Sequence, residues 1–256
     1  MVTIVQGGKT TYGNVAGILM TESTIPRIPG DPGHAETFDF PVRYAVIRDF
    51  PFEDLIDIRR DHLERVIEAA LALQREGVHF IVADCGLFSV FQREIADRLD
   101  IPFLGSSLSL LPLIASLLPS HLKTGLITGD TRLLKEPHLT SVGADPGSLV
   151  IRGLDNCGEF QKVVVNRGME LNVDTMRDCV LEAAADLFSS GEPVGAILLE
   201  CTNLTSFRFD LQTKFQVPVF DIVSLIEFFA GGYLLKPFAS RFIPLSPKPV
   251  REVPHT

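Results

Sequence analysis

Short apolar runs closed by Gly, Pro or Asp alternate along this chain with longer stretches of helical period. That alternation is the sequence form of strand-helix units building a parallel sheet, whose strands are covered on both faces and so read as near-continuous hydrophobic runs. "NVAGILM" and "FPVRYAVI" read as strands. "FEDLIDIRRDHLERVIEAALALQREG" predicts one long helix, with an apolar stripe through Leu55, Ile58, Leu63, Val66, Ala70 and Leu73 and a stop at Gly77. A strand over 78–84, a helix through "FQREIADRL" and a short strand around "IPFLG" follow. The class is α/β.

The second half repeats this order. "KTGLIT" and "SLVIRG" are strands, "DTMRDCVLEAAADLFSSG" is a helix closed by Gly191, and a strand over 194–200 precedes a helix across "FDLQTKF" and a strand around "VPVFD". "VHFIVADCGLF" and "VGAILLECTNL" read almost as one stretch, and Cys85 stands 17 residues before Pro102 just as Cys201 stands 17 before Pro218. The repeat predicts two similar lobes, 1–118 and 119–225, each a small, mostly parallel sheet flanked by helices. The lobes would be related by a pseudo-two-fold with the active site between them, and 226–256 would run back over the first. Ligands of parallel sheets bind beyond the carboxyl ends of strands, where Cys85 and Cys201 both lie. Facing lobes would bring the two thiols into one cleft.

Composition narrows the partners. The chain has 256 residues, is 46% hydrophobic and carries a formal net charge of −9 with no Lys/Arg-rich run. That balance gives no footprint for nucleic acid or an anionic membrane surface. "LSLLPLIASLLP" is too short for a bilayer span and holds Pro112 and Pro119, and the polar start lacks a signal-peptide apolar region, so a cytoplasmic protein is expected. Four cysteines without CxxC spacing read as free thiols, with Cys179 in a helix core and Cys157 in a loop. "GGKT" near the start lacks the remainder of a phosphate loop. No His or carboxylate cluster has metal-ligand spacing, His62 and His138 included, so neither metal nor cofactor is expected.

A thiol of ordinary pKa is mostly protonated at neutral pH, and a helix amino terminus can lower that value. A thiolate on one side of a substrate carbon could then remove a proton while a thiol on the other supplies one, inverting configuration. Backbone N–H groups would steady the enolate-like intermediate.

With its "DCG" at 84–86, "ECTN" at 200–203, "GLITGDT" at 125–131 and the repeat, the sequence resembles the aspartate/glutamate racemase superfamily. That superfamily includes glutamate, aspartate and hydantoin racemases, arylmalonate decarboxylases and maleate isomerases. The resemblance implies that Cys85 and Cys201 are the acid/base pair. It further implies that Thr128, Gly129, Thr131, Thr202 and Asn203 contact a substrate carboxylate or its neighbours, and Gly86 beside the first cysteine joins that set. Amino-acid racemases of the family commonly carry Asn-Thr after the first cysteine, where Gly86 and Leu87 stand here, and an ionisable residue where Asn203 stands. The insert "TESTIPRIPGDPGHAETFDFPV" resembles an uncharacterised subgroup and reads as a lid or rim.

Thr21 and Glu22 end the first strand, a normal ligand position in this architecture. Asp84 and Glu200 either tune the neighbouring thiols or cap loops, since strand alternation sends adjacent side chains to opposite faces. "PGDPGH" reads as consecutive turns or as a ligand site through Asp31, and Ser106 and Ser107 as helix caps. The expected activity is a cofactor-independent racemase or epimerase acting on a small-molecule carboxylate, with a homo-oligomer allowed. A maleate-type cis-trans isomerase using Cys85 as nucleophile and a non-catalytic two-lobed binding protein are the rivals.

Overall fold

The computed structural model describes residues 4–5, 7–9 and 11–236. Its first sheet holds β1 (Ala16–Thr21), β2 (Val42–Ile47), β3 (Phe80–Ala83) and β4 (Phe103–Leu104) in the order β2-β1-β3-β4. The second holds β5 (Lys123–Thr128), β6 (Leu149–Gly153), β7 (Val194–Leu199) and β8 (Val219–Phe220) in the matching order β6-β5-β7-β8. Every pairing is parallel. Helices α1 (Glu53–Asp57), α2 (Leu63–Glu76), α3 (Gln92–Ala96) and α4 (Leu111–Leu117) belong to the first repeat. The second brings α5 (Glu136–Thr140), α6 (Gly158–Phe160), α7 (Val173–Phe188), α8 (Arg208–Phe215) and α9 (Ile222–Tyr233). Among the described residues no helix is long and apolar enough to cross a membrane.

The period of two along each strand explains the continuous apolar runs. Ala16, Ile18 and Met20 of β1 and Phe80 and Val82 of β3 meet Leu126 of β5 and Ala196 and Leu198 of β7 in one core shared by both lobes. The alternate residues Leu19, Ile81 and Ala83 pack under α2, while Ile127, Ile197 and Leu199 pack with α7. Helix α2 buries Leu63, Val66, Ile67, Ala70 and Leu73, the stripe expected of a helix on a sheet. Each large aliphatic among them contributes about 1.5–3 kcal/mol of burial.

Two expectations are corrected. The long helix over 53–76 is broken: Ile58 turns left-handed at φ 58°, and only then does α2 begin. Asp54 holds the break by accepting the Arg59 N–H through its carbonyl at 2.9 Å and meeting the His62 ring through its carboxylate at 2.8 Å. The break lets α1 and the preceding loop fold towards the strand ends instead of lying along the sheet. The four cysteines are not all free, because Cys157 and Cys179 form a disulfide with their Cα atoms 5.9 Å apart. Strand-to-helix closure brings the loop cysteine over α7, a proximity that spacing alone does not reveal.

The expected boundary at 225 falls inside α9. That helix lays Phe229 on Phe80 and Tyr233 on His79, with ring centroids 5.9 and 4.7 Å apart. The remainder of the expected return segment, 237–256, lies outside the described residues.

Candidate active site

Strands β3 and β7 end at equivalent points, and each is followed by a cysteine and then a six-residue 3-10 turn, Gly86–Phe91 and Thr202–Phe207. Cys85 and Cys201, the two free thiols, line one cleft of about 530 Å³ between the lobes. Close approach depends on glycine at two places. A Cβ on Gly86 would stand 2.2 Å from Glu200 Oε1, and one on Gly129 would stand 2.5 Å from the Phe160 ring and 3.4 Å from Cys201 Sγ. Any side chain at either position would push the lobes or the Phe160 wall apart.

Carboxylates stand beside both thiols. Asp84 is buried and accepts the Thr21 N–H at 2.9 Å and its hydroxyl at 3.2 Å, while Arg27 donates to it at 2.9 Å. Arg27 also bridges to Asp31 at 2.7 Å, and Asp31 in turn accepts the Gly33 N–H at 2.7 Å and the Asn203 amide at 2.9 Å. The insert is therefore a strap from the first lobe onto the second. Further along it, the Gly30 carbonyl accepts the Thr205 hydroxyl. At the equivalent place in the second lobe Glu200 is buried, and accepts the Thr128 hydroxyl at 2.7 Å. Asp84 and Glu200 both line the cleft with their cysteines, because β3 ends at Ala83 and β7 at Leu199 and strand alternation stops there.

The electrostatics run against a resting thiolate. Desolvation, then the Glu200 charge, push Cys85 well above the usual thiol range, and the same two causes in the same order push Cys201 up. The expected lowering by a helix terminus is thus overturned. Each cysteine is followed by a short 3-10 turn whose single useful N–H, from Leu87 or Asn203, is outweighed by burial and acidic neighbours. Desolvation also raises Asp84 to about 6 against the pull of Arg27, and raises Glu200. Asp130 goes the other way, to about 2, held by hydrogen bonds from Arg132.

Thr21, Glu22, Gly86, Thr128, Gly129, Thr202 and Asn203 all line the cleft. Several of these side chains are already committed: Thr21 to Asp84, Thr128 to Glu200, Thr202 to the Asp84 carbonyl and Asn203 to Asp31. Backbone N–H groups are then the plainer donors to a ligand carboxylate. Thr131 does not line the cleft, because its N–H and hydroxyl turn to Asp155, the N–H at 3.1 Å. Arg27 was missed by the sequence reading, although it is a lone cation in a Pro/Gly-rich insert and lines the cleft. The aromatic wall of Phe50, Phe52 and Phe160 was missed as well. Phe160 stands on α6, whose N–H is capped by Cys157 Sγ at 3.3 Å, so the disulfide ties this wall to α7.

A two-lobed parallel α/β fold with a thiol from each lobe in the shared cleft defines a class of protein, and the fold and family of known proteins match that class. The Asp/Glu/hydantoin racemase family model matches residues 41–226, and the protein belongs to that family. It is 27% identical over 218 residues to a dimethylsulfoniopropionate lyase of Durusdinium sp. clade D, covering 82% of this chain and 72% of that one. It is 28% identical over 219 residues to dimethylsulfoniopropionate lyase 3 of Emiliania huxleyi, covering 81% of this chain but only 57% of that relative's length. In fold it is similar to allantoin racemase from Klebsiella pneumoniae, with TM-score 0.55 and 15% identity over 86% of this chain and 87% of that one.

Proposed function

We propose that the protein removes a proton from the carbon next to a carboxylate, without a cofactor, and that Cys85 and Cys201 are its acid/base pair. The observation that carries this reading is the sharing of one cleft by the two free thiols, each at the same point of its lobe. The thiolate of one cysteine takes the α-proton, and N–H groups of the turns after the cysteines hold the carboxylate as it gains enolate character. Return of a proton from the other thiol to the opposite face inverts the carbon, which makes the enzyme a racemase or epimerase.

A second outcome of the same carbanion is elimination. If the neighbouring carbon bears a sulfonium group, the electron pair left by the α-proton forms the double bond, and the carbon–sulfur bond breaks with its pair going to sulfur. A neutral sulfide leaves and needs no acid. The cleft wall supports this reading, since Phe50, Phe52 and Phe160 stand with Glu22, Glu53 and Glu200 around the space, and Arg27 and Arg167 line it too, so one cleft offers partners to a cation and to a carboxylate. The relatives named dimethylsulfoniopropionate lyase support it.

The test is to incubate the protein in deuterium oxide with dimethylsulfoniopropionate and, separately, with D- and L-amino acids, hydroxy acids and hydantoins. Sulfide release with formation of the unsaturated acid identifies a lyase, and α-deuteration with inversion identifies a racemase. Isomerisation of a cis-alkene without deuterium uptake would instead favour Cys85 as a nucleophile. No exchange and no elimination with any of them would sink the proton-transfer reading in favour of a binding protein.

A further inference from the structure

One buried acid in the cleft takes no part in the proton transfer itself. Glu200 belongs to the second lobe and directly precedes Cys201, yet its Oε1 abuts the first lobe's turn, 2.2 Å from where a Cβ on Gly86 would stand. Its other carboxylate oxygen accepts the Thr128 hydroxyl at 2.7 Å. Among the described residues no Lys, Arg or His pairs with it, although its counterpart Asp84 has Arg27. The charged and titratable groups in and around its cleft are Cys201 on its own strand end, Asp130 with Arg132 beyond β5, Cys85 and Asp84 on the facing turn, Arg27 and Asp31 from the strap, Glu22 after β1, Glu53 on α1 and Arg167 after α6. Arg27 is spent on two aspartates, and among the described residues Arg167, which lines the same cleft, forms no ion pair with Glu200, so its carboxylate meets the turns of both cysteines without a partner cation.

We propose that Glu200 is a positioning residue that keeps both thiols protonated until a positively charged group enters the cleft, so that the base forms only on a cationic ligand. This rests on the reading of Cys85 and Cys201 as the proton-transfer pair. The cation's field offsets that of Glu200, and a thiol then loses its proton to the buffer. A carboxylate of the same shape without the positive group leaves the sulfurs as thiols. The closeness of Glu200 to both turns accounts for its acting on both cysteines.

The experiment follows thiol ionisation in the full chain by ultraviolet thiolate absorbance against pH, and by the iodoacetamide alkylation rate of each cysteine. Glu200→Gln still offers an oxygen to Thr128, so a purely structural Glu200 would leave both readouts unmoved. The expected result is thiolate absorbance appearing about one pH unit lower or more, with alkylation of both cysteines about tenfold faster at a fixed pH below their midpoints. Glu200→Asp, which keeps the charge, should behave as wild type.

Wild-type protein provides a test that does not depend on any variant folding. 3-(Trimethylammonio)propionate should raise thiolate absorbance, whereas 4,4-dimethylpentanoate, its isostere with a tert-butyl group in place of the ammonium, should not. An unmoved titration in folded Glu200→Gln, or an equal response to the two isosteres, overturns the proposal. Its failure is distinguishable from failure of the parent reading. Ionisation that follows Glu200 and the cation, without turnover of any substrate, leaves this inference standing and removes the enzyme assignment. Turnover that depends on both cysteines while ionisation ignores Glu200 does the reverse.

Discussion

At the end of β3 the carboxylate of Asp84 takes two hydrogen bonds from Thr21 and an ion pair from Arg27, while at the matching end of β7 Glu200 takes one from the Thr128 hydroxyl and one from the Gly129 N–H, and among the described residues no ion pair. The two turns share strand position, a threonine on the neighbouring strand and a following thiol. They differ because only the first repeat carries the insert that supplies Arg27 and Asp31. The repeat thus places two like chemical groups face to face, and the insertion gives them unlike surroundings. One acid is compensated and structural. The other leaves its charge to act on the cleft.

The largest expected effect comes from removing that compensation. Arg27→Met leaves Asp84 and Asp31 as buried charges without their partner, which should cost about 3–5 kcal/mol in urea denaturation at neutral pH. The pH dependence follows from Asp84, which sits at about 6 in the fold against 3.8 when unperturbed. A carboxyl raised in the native state binds its proton more tightly there, so its contribution is fully present below the unperturbed value and is lost as pH rises through the native one. Without Arg27 the native value climbs further. The variant should therefore regain more stability between pH 7 and pH 5 than wild type does, and a flat profile would show that Asp84 does not depend on this cation.

A smaller effect is expected from the staple that only the second lobe carries. Replacing Cys157 and Cys179 together by alanine opens a loop of sequence separation 22 and should cost about 3 kcal/mol. Because Cys157 caps the turn bearing Phe160, ligand affinity should fall as well. Calorimetry showing unchanged melting and binding would mean that the wall stands without its tie to α7. The smallest effect separates the two threonines. Thr128→Val removes the hydroxyl donor to Glu200, at about 1 kcal/mol. Thr21→Val should cost less, since Asp84 keeps the Thr21 N–H and Arg27. An equal loss in both variants would erase the distinction between the turns.

The repeat and its parallel sheets were legible because a strand buried on both faces must be apolar throughout, and because Cys85 and Cys201 mark the same point in two copies. Bringing those thiols into one cleft needed only the rule that parallel strands end at their ligand site. Other features depended on contacts with no local signature. The stripe over 53–76 carries a helical period through Ile58, and the tertiary pull of Asp54 on Arg59 and His62 breaks it. Arg27 sits among prolines that read as turns, and its role depends on Asp84, 57 residues away. Thr131 sits in a family-like "GDT" but is drawn off by Asp155. Cys157 and Cys179 read as a loop residue and a core residue, and nothing in either context announces the other.

The central claim is that one cysteine from each lobe serves the same substrate carbon, and its most direct test is single replacement. Once a substrate has been found, α-deuterium uptake and turnover should be measured for wild type, Cys85→Ser and Cys201→Ser, because a serine hydroxyl is far too weak a base to replace a thiolate. If the substrate is racemised, each single variant should lose at least about a hundredfold in turnover; if it undergoes elimination, which needs a base and no acid, the variant lacking the base should lose as much. In a racemase, whatever slow exchange survives should favour opposite enantiomers in the two variants. Racemisation at the wild-type rate by either variant, or elimination at the wild-type rate by both, would contradict the account.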